Sequence, residues 1–226
     1  NNSLFIIFND KKVLFDLEEK TFIFDEAYLN FKNYDLEIIG IAEDEGKNIY
    51  AVDVTSSNFN YKEQGYKSLI DYDLRFILTS LSNNEINLIG RANQLLHWIK
   101  SNKYCGYCGS AKKFNDEEQA LFCDCNKIMI YPSISPCVLA LIQNGNQILL
   151  ARNALFPEGL FSALAGFIEV SETAEETIER EIFEEVRLKV KNIKYFGSQS
   201  WPFPSQLMLA YTCEFDSGEI EVDGQE

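Results

Sequence analysis

Through the first 65 residues, short runs rich in Ile, Phe and Val are separated by Asn, Asp, Lys and Gly. The runs at 3–8, 11–15, 21–25, 36–42 and 48–54 have the length and composition of strands, and 42–48 (AEDEGKN) predicts a hairpin turn. From about Ser68 to Ser101 the period becomes helical. Leu74, Ile77 and Leu81, then Ile89, Ala92, Leu96 and Ile99, suit two helices broken near Ser82-Asn83-Asn84. Beyond Pro132, two apolar strands flank Asn144-Gly145-Asn146 in a hairpin over 136–153. Strands follow at 161–167, 190–201 and 207–216, with a helix ending near Val186 between the first two. The order predicts an α+β chain in three parts: a β-rich region ending in helices over 1–101, a cysteine-bearing segment over 102–132, and a further domain over 133–226.

The helix before Val186 carries the densest chemistry. Thr173 followed by Glu176 reads as a capping box. On an ideal wheel with Ala174 at zero, Ile178, Ile182 and Val186 form the buried stripe at roughly 40°, 80° and 120°. Glu181 and Glu185 fall about 20° either side of Ala174, and Glu184 one residue further round, so three carboxylates converge on one patch. Like charges at that spacing repel by a few tenths of a kcal/mol per pair. Hard divalent cations, which prefer carboxylate oxygen, would remove the penalty. Arg180 sits beside the patch and can orient or partly neutralise it. A solvated acidic helix face has the same pattern.

Composition narrows the classes. The 226 residues are 46% hydrophobic with 17 Phe and 11 Tyr, enough for a sizeable core and more than one domain. A formal net charge of −15 disfavours nonspecific binding to nucleic acid or an anionic membrane. No run of 18 apolar residues and no signal-peptide pattern is present, and a cytoplasmic location is expected. The chain opens on Asn1, so an upstream start is expected. The first 65 residues carry no recognisable chemistry and read as scaffold. His97 is the sole histidine and reads as a packing or capping residue, which leaves carboxylates, metals or tyrosine to carry any mechanism.

Cys105-Gly106-Tyr107-Cys108-Gly109 has the form of a zinc-knuckle half, and Cys123-Asp124-Cys125 follows fourteen residues later. Four thiolates so spaced suit a structural Zn²⁺ ribbon. The second half is irregular: Asn126 stands where regular spacing puts the fourth thiol, and Cys125 needs a local backbone shift to ligate. A disulfide, or a ribbon without metal, are the alternatives. Cys137 and Cys213 read as core thiols.

Gly166, Glu172 and Arg180-Glu181-Ile182-Phe183-Glu184-Glu185 resemble, in register, the Nudix box. One position departs: Arg187 replaces the family's second glycine, which normally ends the helix in a left-handed turn. The resemblance implies an α/β/α sandwich for the last part of the chain. The stretch 198–208 (SQSWPFPSQLM) resembles the signature that follows this box in the NADH pyrophosphatase family, with Ser200 and Gln206 as departures. Taken alone, its Trp-Pro-Phe-Pro core also suits a packed surface turn. The resemblance extends over most of the chain, including the ribbon and the helix at Arg91–Trp98.

That family implies a homodimer that uses Mg²⁺ or Mn²⁺ to cleave the diphosphate of NAD(H), and some members remove NAD caps from the 5′ end of RNA. Carried over by position, Glu181, Glu184, Glu185 and Glu226 would hold the catalytic metals, with Arg180 beside them. Phe167 and Tyr131 would contact the nicotinamide side, and Ser198, Gln199, Trp201 and Phe203 would line the substrate pocket. Two alternatives stay open: action mainly on capped RNA or another nucleoside diphosphate, and a non-catalytic Nudix-fold sensor. In the family a strand and helix follow the position of Glu226. The natural protein is therefore expected to continue, and an extended chain to be at least about tenfold more active, because a terminal ligand is poorly held.

Overall fold

The segment Phe5-Ile6-Ile7-Phe8 is buried at every position, so β1 (Ser3–Asn9) is covered on both faces and forms the centre of a sheet. The computed structural model describes residues 3–26, 34, 36–62, 67–77, 81–125, 127–153 and 157–221. They fall in two compact units, Asn1–Ser133 and Ile134–Glu226. The first unit adds β2 (Lys12–Asp16), β3 (Phe24–Asp25), β4 (Glu37–Asp44), β5 (Lys47–Asp53) and β6 (Leu69–Asp73). Strand order is β4-β5-β1-β2-β6, with β3 also on β1, and the β1–β5 pair is parallel. The hairpin expected at 42–48 turns on Glu45-Gly46, whose φ values of 48° and 75° are those a two-residue primed turn requires.

The helical stretch is a single turn, α1 (Leu74–Ile77), and a long helix, α2 (Asn83–Ser101). Ser82 caps α2: its hydroxyl accepts from the Glu85 N–H, while the Glu85 carboxylate accepts from the Ser82 N–H. Ile89, Ala92, Leu95, Leu96 and Ile99 are buried on the face that meets β4 and β5. His97 is not a packing residue: its side chain is exposed near the end of α2, and its carbonyl accepts from the Ser101 hydroxyl. A small sheet of β7 (Lys113–Asn115), β8 (Ala120–Phe122) and β9 (Met129–Ile130) completes this unit and frames the cysteines.

The second unit is built on β10 (Ser135–Asn144), where Val138, Ala140 and Ile142 alternate into the core. Gly145, at φ 62°, turns the chain into the short β11 (Gln147–Leu149). β12 (Leu164–Phe167) is shorter than the run 161–167 because Ser162 only bridges Ala151. After α3 (Ala174–Val186) come β13 (Lys189–Trp201) and β14 (Gln206–Ser217). Strand order is β11-β10-β14-β13, with β12 on β10, and β10–β14 is parallel. The stripe expected on α3 is the buried one: Ile178 and Ile182 are fully covered and Val186 nearly so. Each such side chain contributes roughly 1.5–3 kcal/mol. Among the described residues α3 is the helix of this unit, so the second helical layer expected of an α/β/α sandwich is not seen among them.

Candidate active site and cysteine cluster

α3 begins at Thr173, whose hydroxyl accepts from the Glu176 N–H while the Glu176 carboxylate accepts from the Thr173 N–H at 2.8 Å. It ends at Arg187, which takes the left-handed conformation itself (φ 60°, ψ 20°). The departure from glycine therefore leaves the turn geometry intact, at a conformational cost of about 1–2 kcal/mol. The Arg187 guanidinium lies 5.3 Å over the Phe183 ring and its Nη1 donates to the Phe183 carbonyl, which offsets part of that cost.

Arg180 is the hub of the site. Its Nε donates to Glu172 Oε1 at 2.6 Å and its Nη2 to Glu172 Oε2 at 2.9 Å. Nη1 donates to Glu181 Oε1 at 2.9 Å and to Glu184 Oε2 at 3.2 Å. Nη2 also reaches the Phe167 carbonyl at the end of β12, at 3.1 Å. The bidentate fork holds the Glu172 carboxyl down to about 2. The Glu181 side chain is 18% exposed and that of Glu184 57%. Glu185 is half-buried, with Oε2 sealed from solvent.

The expected convergence of three glutamates is looser than the wheel implied. Glu181 and Glu184 meet on one Arg180 nitrogen. Among the described residues, however, the cysteines are the group with three or more ligand atoms within 4.8 Å of one another. The seat of Glu181 is tight: a Cβ on Gly166, in β12, would overlap the Cγ, Cδ and Oε1 of Glu181. The glycine is thus needed for a close approach, and the carboxylate crosses the strand where a methyl would otherwise sit. Hard oxygen donors in this cradle suit Mg²⁺ or Mn²⁺.

A pH effect follows from Glu172. Its folded pKa lies below its ordinary value near 4.5, so its contribution to stability is present above that value and lost as pH falls towards 2. Melting temperature should drop across that window in the wild type and drop less in Glu172→Gln. Parallel curves for the two proteins would remove Glu172 from the acid response.

The other expected site residues are spread out. Phe167 is exposed at the end of β12. Tyr131 belongs to the first unit, where its hydroxyl donates to Glu118 at 3.1 Å. Ser198 and Gln199 lie exposed on β13, in register with Leu209 and Met208 of β14. Trp201 closes β13, and its ring meets that of Phe203 edge-on at 5.1 Å. Glu226 and Asn126 lie outside the described residues. The Glu172 anchor was not among the expected site residues, although its invitation to Arg180 was visible as an acid in the turn ahead of the N-cap.

All four ribbon sulfurs lie within 4.8 Å of one another, Cys105–Cys125 at 3.6 Å and Cys108–Cys123 at 3.5 Å. A regular tetrahedron with Zn–S near 2.3 Å has edges of about 3.8 Å, so the cluster fits Zn²⁺ in size as well as softness. The irregular Cys-x-Cys half does bring Cys125 in. The left-handed Gly109 shapes the first turn, and Lys127, with φ 54°, donates its N–H to the Cys123 carbonyl beside the second. The sulfurs stand unbonded at these separations, the spacing of ligands around one ion and not of a disulfide near 2.05 Å. Backbone N–H groups of Cys108 and Tyr107 pull the Cys105 thiol down, and that of Ser110 pulls Cys108 to about 6. Neighbouring sulfurs push Cys125 up, the expected response of like groups crowded together.

The NUDIX domain model matches residues 134–226. A protein of Pseudomonas syringae pv. syringae called NAD-capped RNA hydrolase NudC is 43% identical over 139 residues, 62% of this chain and 50% of that protein. A protein of the same name from Escherichia fergusonii is 41% identical over 160 residues, 71% of this chain and 59% of that protein. The chain thus spans about half the length of the curated relatives it matches. A solved Nudix hydrolase from Nitrosomonas europaea is 23% identical with a TM-score of 0.47, covering 55% of this chain and 73% of that one. Residues 134–226 match the NUDIX domain, and this chain is similar to the NudC proteins over the aligned stretch.

Proposed function

We propose that this protein is a metal-dependent hydrolase of the diphosphate bond of NAD(H), giving AMP and nicotinamide mononucleotide. The observation that carries the reading is the Arg180 hub, which gathers Glu172, Glu181, Glu184 and the Phe167 carbonyl into one site on the box helix. Glu181, Glu184 and Glu185 would hold Mg²⁺ or Mn²⁺. A cation held there would neutralise diphosphate charge and lower the pKa of an attacking water. Arg180 keeps Glu181 over the Gly166 cradle, and a glutamate of the set takes the proton of the water. Phe167, exposed beside the hub, offers a face on which the nicotinamide ring stacks. The names of the relatives favour a second reading, the same bond within an NAD cap on RNA.

The reading ranks NADH above ADP-ribose and nucleoside triphosphates. Phe167→Ala should depress kcat/KM for NADH at least about tenfold more than for ADP-ribose, which lacks nicotinamide; aromatic stacking of a base is worth about 1–3 kcal/mol. Equal losses on both would reduce Phe167 to a shape-keeping residue.

The four cysteines would hold one structural Zn²⁺ in a ribbon ahead of the catalytic domain. Elemental analysis of protein purified without chelator should find about one zinc per chain. Less than about a tenth of an equivalent, with four titratable thiols in the cluster, would contradict the metal site.

A further inference from the structure

Thr177 lies four residues before Glu181 and is fully buried; with Asp16 it makes up the buried polar side chains among the described residues. A threonine inside a helix ordinarily directs its hydroxyl proton at the carbonyl one turn back. Here the Thr173 carbonyl is 3.0 Å from Oγ1. The Glu172 carboxylate is as close, with Oε2 at 2.9 Å. Both partners are acceptors and the hydroxyl has one proton to give. The charged acceptor is favoured, because charge-assisted hydrogen bonds are roughly twice as strong as neutral ones.

Glu172 stands outside α3, so the helix backbone does not fix it. Its other donors are the Glu169 N–H, from the same turn, and Arg180, a long side chain with many rotamers. Thr177 is short, β-branched and locked in the packed face of α3. It is the rigid point from which the rest of the network can be registered. We propose that Thr177 is a positioning residue: its hydroxyl sets the Glu172 carboxylate, Glu172 sets Arg180, and Arg180 sets Glu181. The inference rests on the reading of Glu181 as a metal ligand. A box residue between the acid and the arginine thereby controls how well the metal is held.

Thr177→Val keeps the branch and volume and removes the hydroxyl. Mn²⁺ titration of the full chain by electron paramagnetic resonance should show binding weakened about tenfold, the scale of a lost outer-sphere partner. Turnover of NADH should fall by a similar factor, with KM changed by less than about twofold. Thr177→Ser should restore both quantities. Thr177→Ala set against Thr177→Ser asks the same question should the valine variant not fold. Mn²⁺ binding is independent of which bond is cut, so a wild type that binds Mn²⁺ but leaves NADH intact sinks the functional reading and not this one. Three results overturn the proposal: Mn²⁺ affinity unchanged in Thr177→Val, equal weakening in the valine and serine variants, or a wild type that binds no Mn²⁺.

Discussion

Gly166→Ala is expected to lower turnover about a hundredfold or more while leaving both units folded, the scale of losing one positioned catalytic group. The added methyl overlaps the Glu181 carboxyl and Cγ, so Glu181 must leave its seat and its ion pair with Arg180 Nη1. The overlap is with the far end of a flexible side chain. Stability should therefore fall only by the roughly 1–3 kcal/mol of an overpacked site. The three nearest atoms all belong to Glu181, which allows a test by double-mutant cycle. Once Glu181→Ala has emptied the seat, adding Gly166→Ala should cost little further stability. Additive losses would place the strain elsewhere in β12.

Glu185→Gln is expected to lower kcat by about 10²-fold or more and to raise the metal concentration needed for half-maximal rate. The substitution nearly preserves shape and removes one charge from a helix side chain whose Oε2 is sealed from solvent. A half-buried carboxylate on the same helix as Glu181 and Glu184 is of most use where a cation is bound, and a neutral amide cannot replace it. Glu184→Gln should cost less, because Glu184 is largely exposed and its partner Arg180 keeps two other carboxylates. Near-wild-type turnover and an unchanged metal requirement in Glu185→Gln would remove that residue from the mechanism.

The parts of the site that were legible beforehand are those with a local signature. The Thr173–Glu176 box and the Ile178, Ile182, Val186 stripe both follow from spacing within one helix. The Cys-x-x-Cys turn was equally plain. What spacing within a helix cannot place is a partner beyond the helix. Glu172 meets Arg180 across the turn ahead of the cap, and the Gly166 cradle joins a strand to a helix. Thr177 is buried polar surface that a hydropathy pattern averages away, and its hydroxyl has a purpose only once Glu172 is in view. At Arg187 the left-handed conformation is adopted against intrinsic preference, with stacking on Phe183 offsetting part of the cost. Of the two roles expected of His97, packing is excluded, because α2 turns its other side to the sheet.

The most direct test of the account is the product of NADH turnover. Purified protein with NADH and Mg²⁺ or Mn²⁺, resolved by chromatography, should yield AMP and reduced nicotinamide mononucleotide in equal amounts, with no turnover after chelation of the divalent ion. Intact NADH under those conditions, or release of nicotinamide with ADP-ribose, would contradict cleavage at the diphosphate.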